Sequence, residues 1–171
     1  MLKLALDTNC IIAAAQGEPN AIHVDQLAEL AGAGRIMISV TSGFAVDQRT
    51  ARPTFQQANL AYLAKVPVIR VPGPFRFDMS FLDGDDVLVD DHTADLDKRI
   101  TEIVLGGDVP TVASKKMNDV HHLTAHCMAG NDVFVTSDGD DMVKKRERLR
   151  VEAGIVVKTP EAAVALVTPS E

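Results

Sequence analysis

The run Leu2-Lys3-Leu4-Ala5-Leu6 ends directly on Asp7-Thr8-Asn9, and a second run, Val133-Phe134-Val135, ends on Thr136-Ser137-Asp138. Apart from Lys3, neither alternates polar with apolar residues, which is the pattern of strands covered on both faces. Runs of the same kind recur at 36–40, 67–71 and 155–157. Between them stand stretches whose apolar residues return every three or four positions, at 10–15, 22–31, 53–64, 93–105, 114–129, 140–151 and 160–166. That spacing predicts helices. Gly32 with Gly34, Gly106 with Gly107, and Gly130 supply stops, while Thr41 or Ser42 is a natural N-cap for the helix after the second strand. Strands alternating with helices predict an α/β protein, a three-layer α/β/α sandwich around a central, mostly parallel sheet.

In such sheets ligands bind beyond the carboxyl ends of the strands, where the strand order reverses. That is where the aspartates are. Asp7 follows the first strand and Asp138 follows Val133–Val135 with two residues between, so neighbouring strands would bring the two carboxylates face to face. Asp119 lies near the start of the helix before that strand and can approach the same edge. Carboxylates gathered in this way repel one another unless a cation neutralises them, and hard oxygen ligands select Mg²⁺ or Mn²⁺. Taken singly, each aspartate has a plainer reading as a helix cap or a solvated loop residue.

The 171 residues, 46% of them hydrophobic, suit one domain over residues 1–168, with an irregular insertion rich in Pro, Gly and Asp at about 72–92. A formal net charge of −7 argues against a protein that coats nucleic acid by bulk electrostatics, but not against an enzyme gripping it at a metal-loaded carboxylate cluster. No apolar run reaches the roughly 20 residues that a membrane helix needs. The opening segment, interrupted by Lys3 and Asp7, reads as a strand and not as a signal peptide. Cys10 and Cys127 lack metal-site spacing and read as free thiols of a cytoplasmic protein.

Leu4-Ala5-Leu6-Asp7-Thr8-Asn9, Asn118-Asp119 and Phe134-Val135-Thr136-Ser137-Asp138 together resemble the PIN-domain family. They stand for its opening strand, its second-half acidic position on a helix, and its strand-end Thr-x-Asp signature, and their order and separations match along nearly the whole chain. The resemblance implies a PIN-like fold, with the active site at the carboxyl ends of the strands. It implies a metal-dependent endoribonuclease acting on single-stranded RNA and leaving a 5′ phosphate and a 3′ hydroxyl. Asp7, Asp119 and Asp138 would be its catalytic metal ligands for Mg²⁺ or Mn²⁺, and Asn9 and Thr136 would orient carboxylates or a ligand water. VapC-type toxins are the largest group of such relatives, which makes an antitoxin protein a candidate partner and a homodimer a candidate assembly.

The chain departs from the family at Phe44, which stands about where relatives carry a Glu on the helix after the second strand. Asp47, three residues on and on nearly the same helical face, is the candidate replacement; a plain surface residue is the other reading. Without a replacement the site would hold metal weakly, or the protein would bind RNA or a protein partner without cutting. Asp141, three residues beyond Asp138, is a candidate ligand for a second metal, with Asp140 its competitor; both also suit the first turn of a helix, complementing its dipole.

Lys115 and Lys116 beside Asp119, and Lys144 and Lys145 in the basic run that continues through Arg146, Arg148 and Arg150, are candidate grips on the RNA backbone. A solvated helical face is the ordinary reading of that run's far end. No His, Lys or Tyr lies within the three motifs as an evident general base. His122 and His126, four apart, read as a polar helical face near the cleft, since a zinc pair needs further ligands. Asp83, Asp85, Asp86, Asp90 and Asp91 lack calcium-loop spacing and read as a solvated excursion. Dinucleotide binding and serine hydrolysis fall away for want of a Gly-rich turn and a nucleophile elbow. Phosphotransfer through Asp7 remains the lesser alternative, weakened by Asn9 standing where such phosphatases place a second Asp.

Overall fold

The first strand sends Leu4 and Leu6 to one side and Ala5 to the other, and all three are fully buried, so helices must cover both faces. A computed structural model describes residues 1–77, 79–80, 84–106, 115–139 and 142–168. Asp83, Asp140 and Asp141 lie outside the described residues. The first half of the chain runs β1 (Leu2–Leu6), α1 (Thr8–Gln16), α2 (Ala21–Gly32), β2 (Ile36–Thr41), α3 (Gly43–Gln48), α4 (Pro53–Leu63) and β3 (Val68–Val71). The second half runs α5 (Asp91–Leu105), α6 (Lys115–Met128), β4 (Val133–Val135), α7 (Met142–Ala153), β5 (Val157–Lys158) and α8 (Pro160–Val167).

The sheet has five strands in the order β3-β2-β1-β4-β5, and each described pairing is parallel. One core joins Leu4, Leu6, Ile38, Val133 and Val135 to Ile11 of α1, Leu27 of α2, Leu63 of α4 and Ala163 of α8. The other joins Ala5, Phe134 and Val157 to Ile103 of α5, Leu123 of α6 and Leu149 of α7. The alternating sides of β1 and β4 therefore feed two separate cores, and the architecture is a three-layer α/β/α sandwich.

Strand order reverses between β1 and β4, whose register pairs Leu6 with Val135. Asp7 and Thr136, the next residue on each strand, consequently emerge side by side at the carboxyl edge. The last strand is displaced from the expected 155–157 to Val157–Lys158. The ladder sets this shift: Phe134 N donates to Val156 O and Thr136 N donates to Lys158 O, which leaves Ile155 to pack in the second core.

Ser42 does not cap α3 with its side chain, contrary to the sequence expectation. Its hydroxyl is taken up instead by Asp86 and His121. The described part of the 72–92 insertion is irregular, pinned by a bridge between Pro74 and Val87 and by Phe75 N donating to Val87 O at 2.8 Å. Helix α5 takes in Asp91 and His92, and is capped by Asp90, which accepts from Thr93 N. Among the described residues no helix is long and apolar enough to cross a membrane, and both cysteines are free.

Candidate functional site

Asp7 sits in extended backbone at the end of β1 and is at once the N-cap of α1 and part of a polar cluster at the strand edge. Its Oδ1 accepts from Thr8 N at 2.7 Å. Its Oδ2 accepts from Asn9 Nδ2 at 2.8 Å and from Thr136 Oγ1 at 2.7 Å. Thr136 Oγ1 in turn accepts from Asn9 Nδ2 and, at 3.0 Å, from Asp138 N, while Asn9 Oδ1 accepts from Ser137 N. Thr-x-Asp thus has a mechanical meaning here: one fully buried threonine hydroxyl ties the carboxylate of β1 to the backbone that carries Asp138.

Phe44 is buried in the first core, while Asp47, one turn later on α3, reaches the same edge as Asp7. Asp47 Oδ1 accepts from Asn118 Nδ2 at 2.6 Å, and Oδ2 accepts from His122 Nε2 at 3.1 Å. Asp47 is thus partly exposed and hydrogen-bonded to two residues of α6.

The burial of His122 was not foreseen from sequence. Placed on a polar helical face there, the residue is 1% exposed and lies within the aspartate cluster. Its Nδ1 is hydrogen-bonded to Thr41 Oγ1, and its Nε2 is 4.0 Å from Asp7 Oδ1. Burial disfavours the imidazolium, but the hydrogen bond to Asp47 and the charges of Asp7, Asp47 and Asp119 outweigh it, and the pKa is raised. Gly43 makes room for the ring, since a Cβ there would stand 2.8 Å from His122 Cε1. A glycine at that first helical position and a histidine three residues after Asp119 were the only signals available. His126 is not a site residue; it is buried edge-to-face on Phe134 with ring centroids 5.7 Å apart.

Asp119, on the first turns of α6, and Asp138, past β4, complete the cluster. Burial pushes Asp119 up to about 7, with Asp7 and Asp138 adding to the effect and His122 and Lys115 opposing it. Burial likewise raises Asp7, with Asp47 adding to it, against His122, Thr136 and Thr8. Burial also opposes ionisation of Asp47, but His122, Thr8 and Asn118 prevail and hold it below the usual carboxylate range. Among the described residues no three Asp, Glu, His or Cys side chains are already gathered as a ligand set. Asp7, Asp119 and Asp138, expected at one sheet edge, line one cleft together with Asp47. Four carboxylates lining one cleft are the oxygen-donor chemistry that suits a hard divalent cation.

A second polar layer lies behind this one. Asp86 accepts from Ser42 Oγ and from Gly73 N at 2.9 Å, and its Oδ1 is 3.6 Å from His121 Nε2. Asp86 is thus a buried anchor, not part of a solvated acidic excursion. It ties the insertion to the start of α3 and to α6, the two elements that carry Asp47 and Asp119. Gly73 lies so close to His121 that a Cβ would fall 2.3 Å from its Nε2.

Asp7, Asp47, Asp119, Asp138, Asn9 and Lys115 all line one cleft of about 1020 Å³. Lys115 Nζ is 3.8 Å from Asp138 Oδ2 at its mouth. The other described cations lining the cleft are Arg49 and Arg52, between α3 and α4, which sequence reasoning did not single out. Lys116, Lys144 and Lys145 are not among the described lining residues, and Lys145 Nζ donates to Val104 O at the end of α5. Arg148 and Arg150 pair with Glu152 and Glu147 along α7.

No family model matches the chain, and no curated protein matches it in sequence. Among solved structures it is similar to a chain of VapBC2 from Rickettsia felis, in a crystal structure bound to a DNA fragment from their promoter. The TM-score is 0.54 at 13% sequence identity, over 92% of this chain and 98% of that one. That likeness extends over nearly the whole sandwich and concerns the fold.

Proposed function

We propose that this chain is a divalent-metal-dependent endoribonuclease that hydrolyses single-stranded RNA, with Asp7, Asp119 and Asp138 as the metal-holding core and Asp47 in the role that Phe44 cannot fill. The observation that carries the reading is the convergence of these four aspartates on one cleft at the point where strand order reverses. Fold similarity to a VapBC2 chain supports the same class and makes an antitoxin-like protein the candidate partner.

A bound Mg²⁺ or Mn²⁺ would supply charge neutralisation and Lewis acidity at the phosphodiester. The chain's own residues do the positioning. Thr136, past β4, and Asn9, on α1, fix the Asp7 carboxylate, and Asn118 and His122 fix Asp47 from α6. The buried His122 ring stands against Asp47 and Asp7 without entering the described cleft lining. Lys115 puts positive charge beside Asp138, where it can meet an incoming phosphate.

The test is cleavage of an end-labelled single-stranded RNA by wild type and Asp119→Asn, with Mn²⁺, with Mg²⁺ and with EDTA. The reading expects metal-dependent cleavage giving 5′-phosphate ends, reduced by about 100-fold or more in the variant. Undiminished cleavage by Asp119→Asn would refute it. Metal binding without cleavage would instead give the chain to the non-cutting alternative, a PIN-like module that holds RNA or a protein.

A further inference from the structure

The cleft has a side that the carboxylates do not use. Phe55 and Asn59 line it four apart on one face of α4, and Arg52, the residue just before that helix, lines it as well. Phe55 is 41% exposed, a large ring offered to the cleft rather than to the core. Asn59 is fully buried; its Nδ2 donates to Gln48 Oε1, while its Oδ1 has no hydrogen-bond partner among the described residues. A buried acceptor left unmet in a cleft lining is a place where a ligand donor fits. Arg52 is the N-cap of this eleven-residue helix and makes no side-chain cap, and Pro53 follows it. The helix's open amino end therefore stands beside an arginine, a pairing suited to an anion. Val46, Ala51 and Met79 add apolar lining to the same cleft.

An aromatic face, an unmet acceptor and a cationic helix terminus correspond one for one to the parts of a nucleotide: a base with its π-face and N–H groups, and a phosphate. We infer that this face of α4 is a nucleotide subsite, seating one residue of a single-stranded nucleic acid beside the phosphate presented to the aspartates. The base lies against Phe55 with Asn59 as acceptor, and its phosphate lies against Arg52 and the amino end of α4. The inference rests on the nuclease reading and deepens it by naming what grips the strand. An acidic peptide would engage Arg52 but leaves the ring and the inward acceptor unexplained.

The experiment titrates the full chain, loaded with Ca²⁺, into a fluorescent single-stranded oligoribonucleotide and into a sugar-phosphate strand of equal length without bases. Phe55→Ala is expected to weaken binding of the intact strand about tenfold or more and to leave the baseless strand unaffected. Arg52→Gln weakens both strands and flattens the salt dependence by about one ion. Both variants keep the Mn²⁺ affinity and melting temperature of wild type. If wild type and both variants bind the intact strand equally while Mn²⁺ still binds, the subsite is overturned and the metal centre stands. If an acidic peptide binds this face more tightly than the strand does, the subsite is likewise overturned. If wild type binds no Mn²⁺, the nuclease reading falls, and the subsite with it.

Discussion

Replacing His122 by leucine is the perturbation that most directly exposes how the cluster is held together. The substitution removes the donor to Asp47 Oδ2 and the ring 4.0 Å from Asp7 Oδ1, and leaves Thr41 Oγ1 without that partner. Asp7 and Asp119 are each less than a tenth exposed, so solvent does little to replace what is lost. Breaking a buried pair by removing one member costs about 3–5 kcal/mol. For a domain of this size each kcal/mol moves the melting temperature by about 2–4 °C, so a fall of about 6–20 °C is expected in metal-free buffer. Gly43→Ala should reproduce part of that fall with His122 still present, because its methyl would press on the imidazole at 2.8 Å. Thermal unfolding followed by circular dichroism measures both. Added Mn²⁺ should raise the melting temperature of wild type, since a ligand present at about 100 times its dissociation constant returns about 2.7 kcal/mol. A fall below about 2 °C for His122→Leu would refute the counter-ion role, for then the aspartates do not depend on this imidazole.

Other outcomes follow from the same contacts. Burial holds His126 at about 4, so between its ordinary value of 6.5 and about 4 the unfolded chain binds the proton first. Its contribution, about 3 kcal/mol, is therefore complete above pH 6.5 and lost as pH falls towards 4. The difference in urea-unfolding free energy between wild type and His126→Asn across that range should show it. Thr136→Val strips Asp7 of a donor and leaves Asp138 N and Asn9 short of an acceptor. It should lower stability by about 1–3 kcal/mol and Mn²⁺ affinity by about 10–100-fold, read by calorimetry. Asp86→Ala releases Ser42 and Gly73 and should cost about 2–4 kcal/mol, with earlier proteolysis within residues 72–90.

The layers of the sandwich were legible because Leu4-Ala5-Leu6 and Val133-Phe134-Val135 are apolar on both sides, and such strands leave few architectures open. The positions of Asp7 and Asp138 followed from that, because a side chain just past a strand end has little freedom of placement. What lies deeper was hidden for physical reasons. Helical periodicity puts His122 on the face of Asp119, but only the packing of α3 against α6 turns that face inwards, and a buried histidine looks like an exposed one in sequence. Asp86 reads as one of several loop acids until the chain folds back and Gly73 lets it meet Ser42 and His121. Arg52 and Phe55 belong to an ordinary amphipathic stretch until the cleft shows which residues it takes. Periodicity finds faces; which face meets which is settled by tertiary contacts.

The central claim, that the aspartate cluster is a divalent-metal site, is most directly tested by calorimetric titration of Mn²⁺ into the metal-free chain, comparing wild type with Asp7→Asn. The account predicts saturable binding by wild type and a loss of about tenfold or more in the variant, which keeps the shape of the side chain but not its charge. Absent binding in wild type, or equal binding in Asp7→Asn, would contradict it.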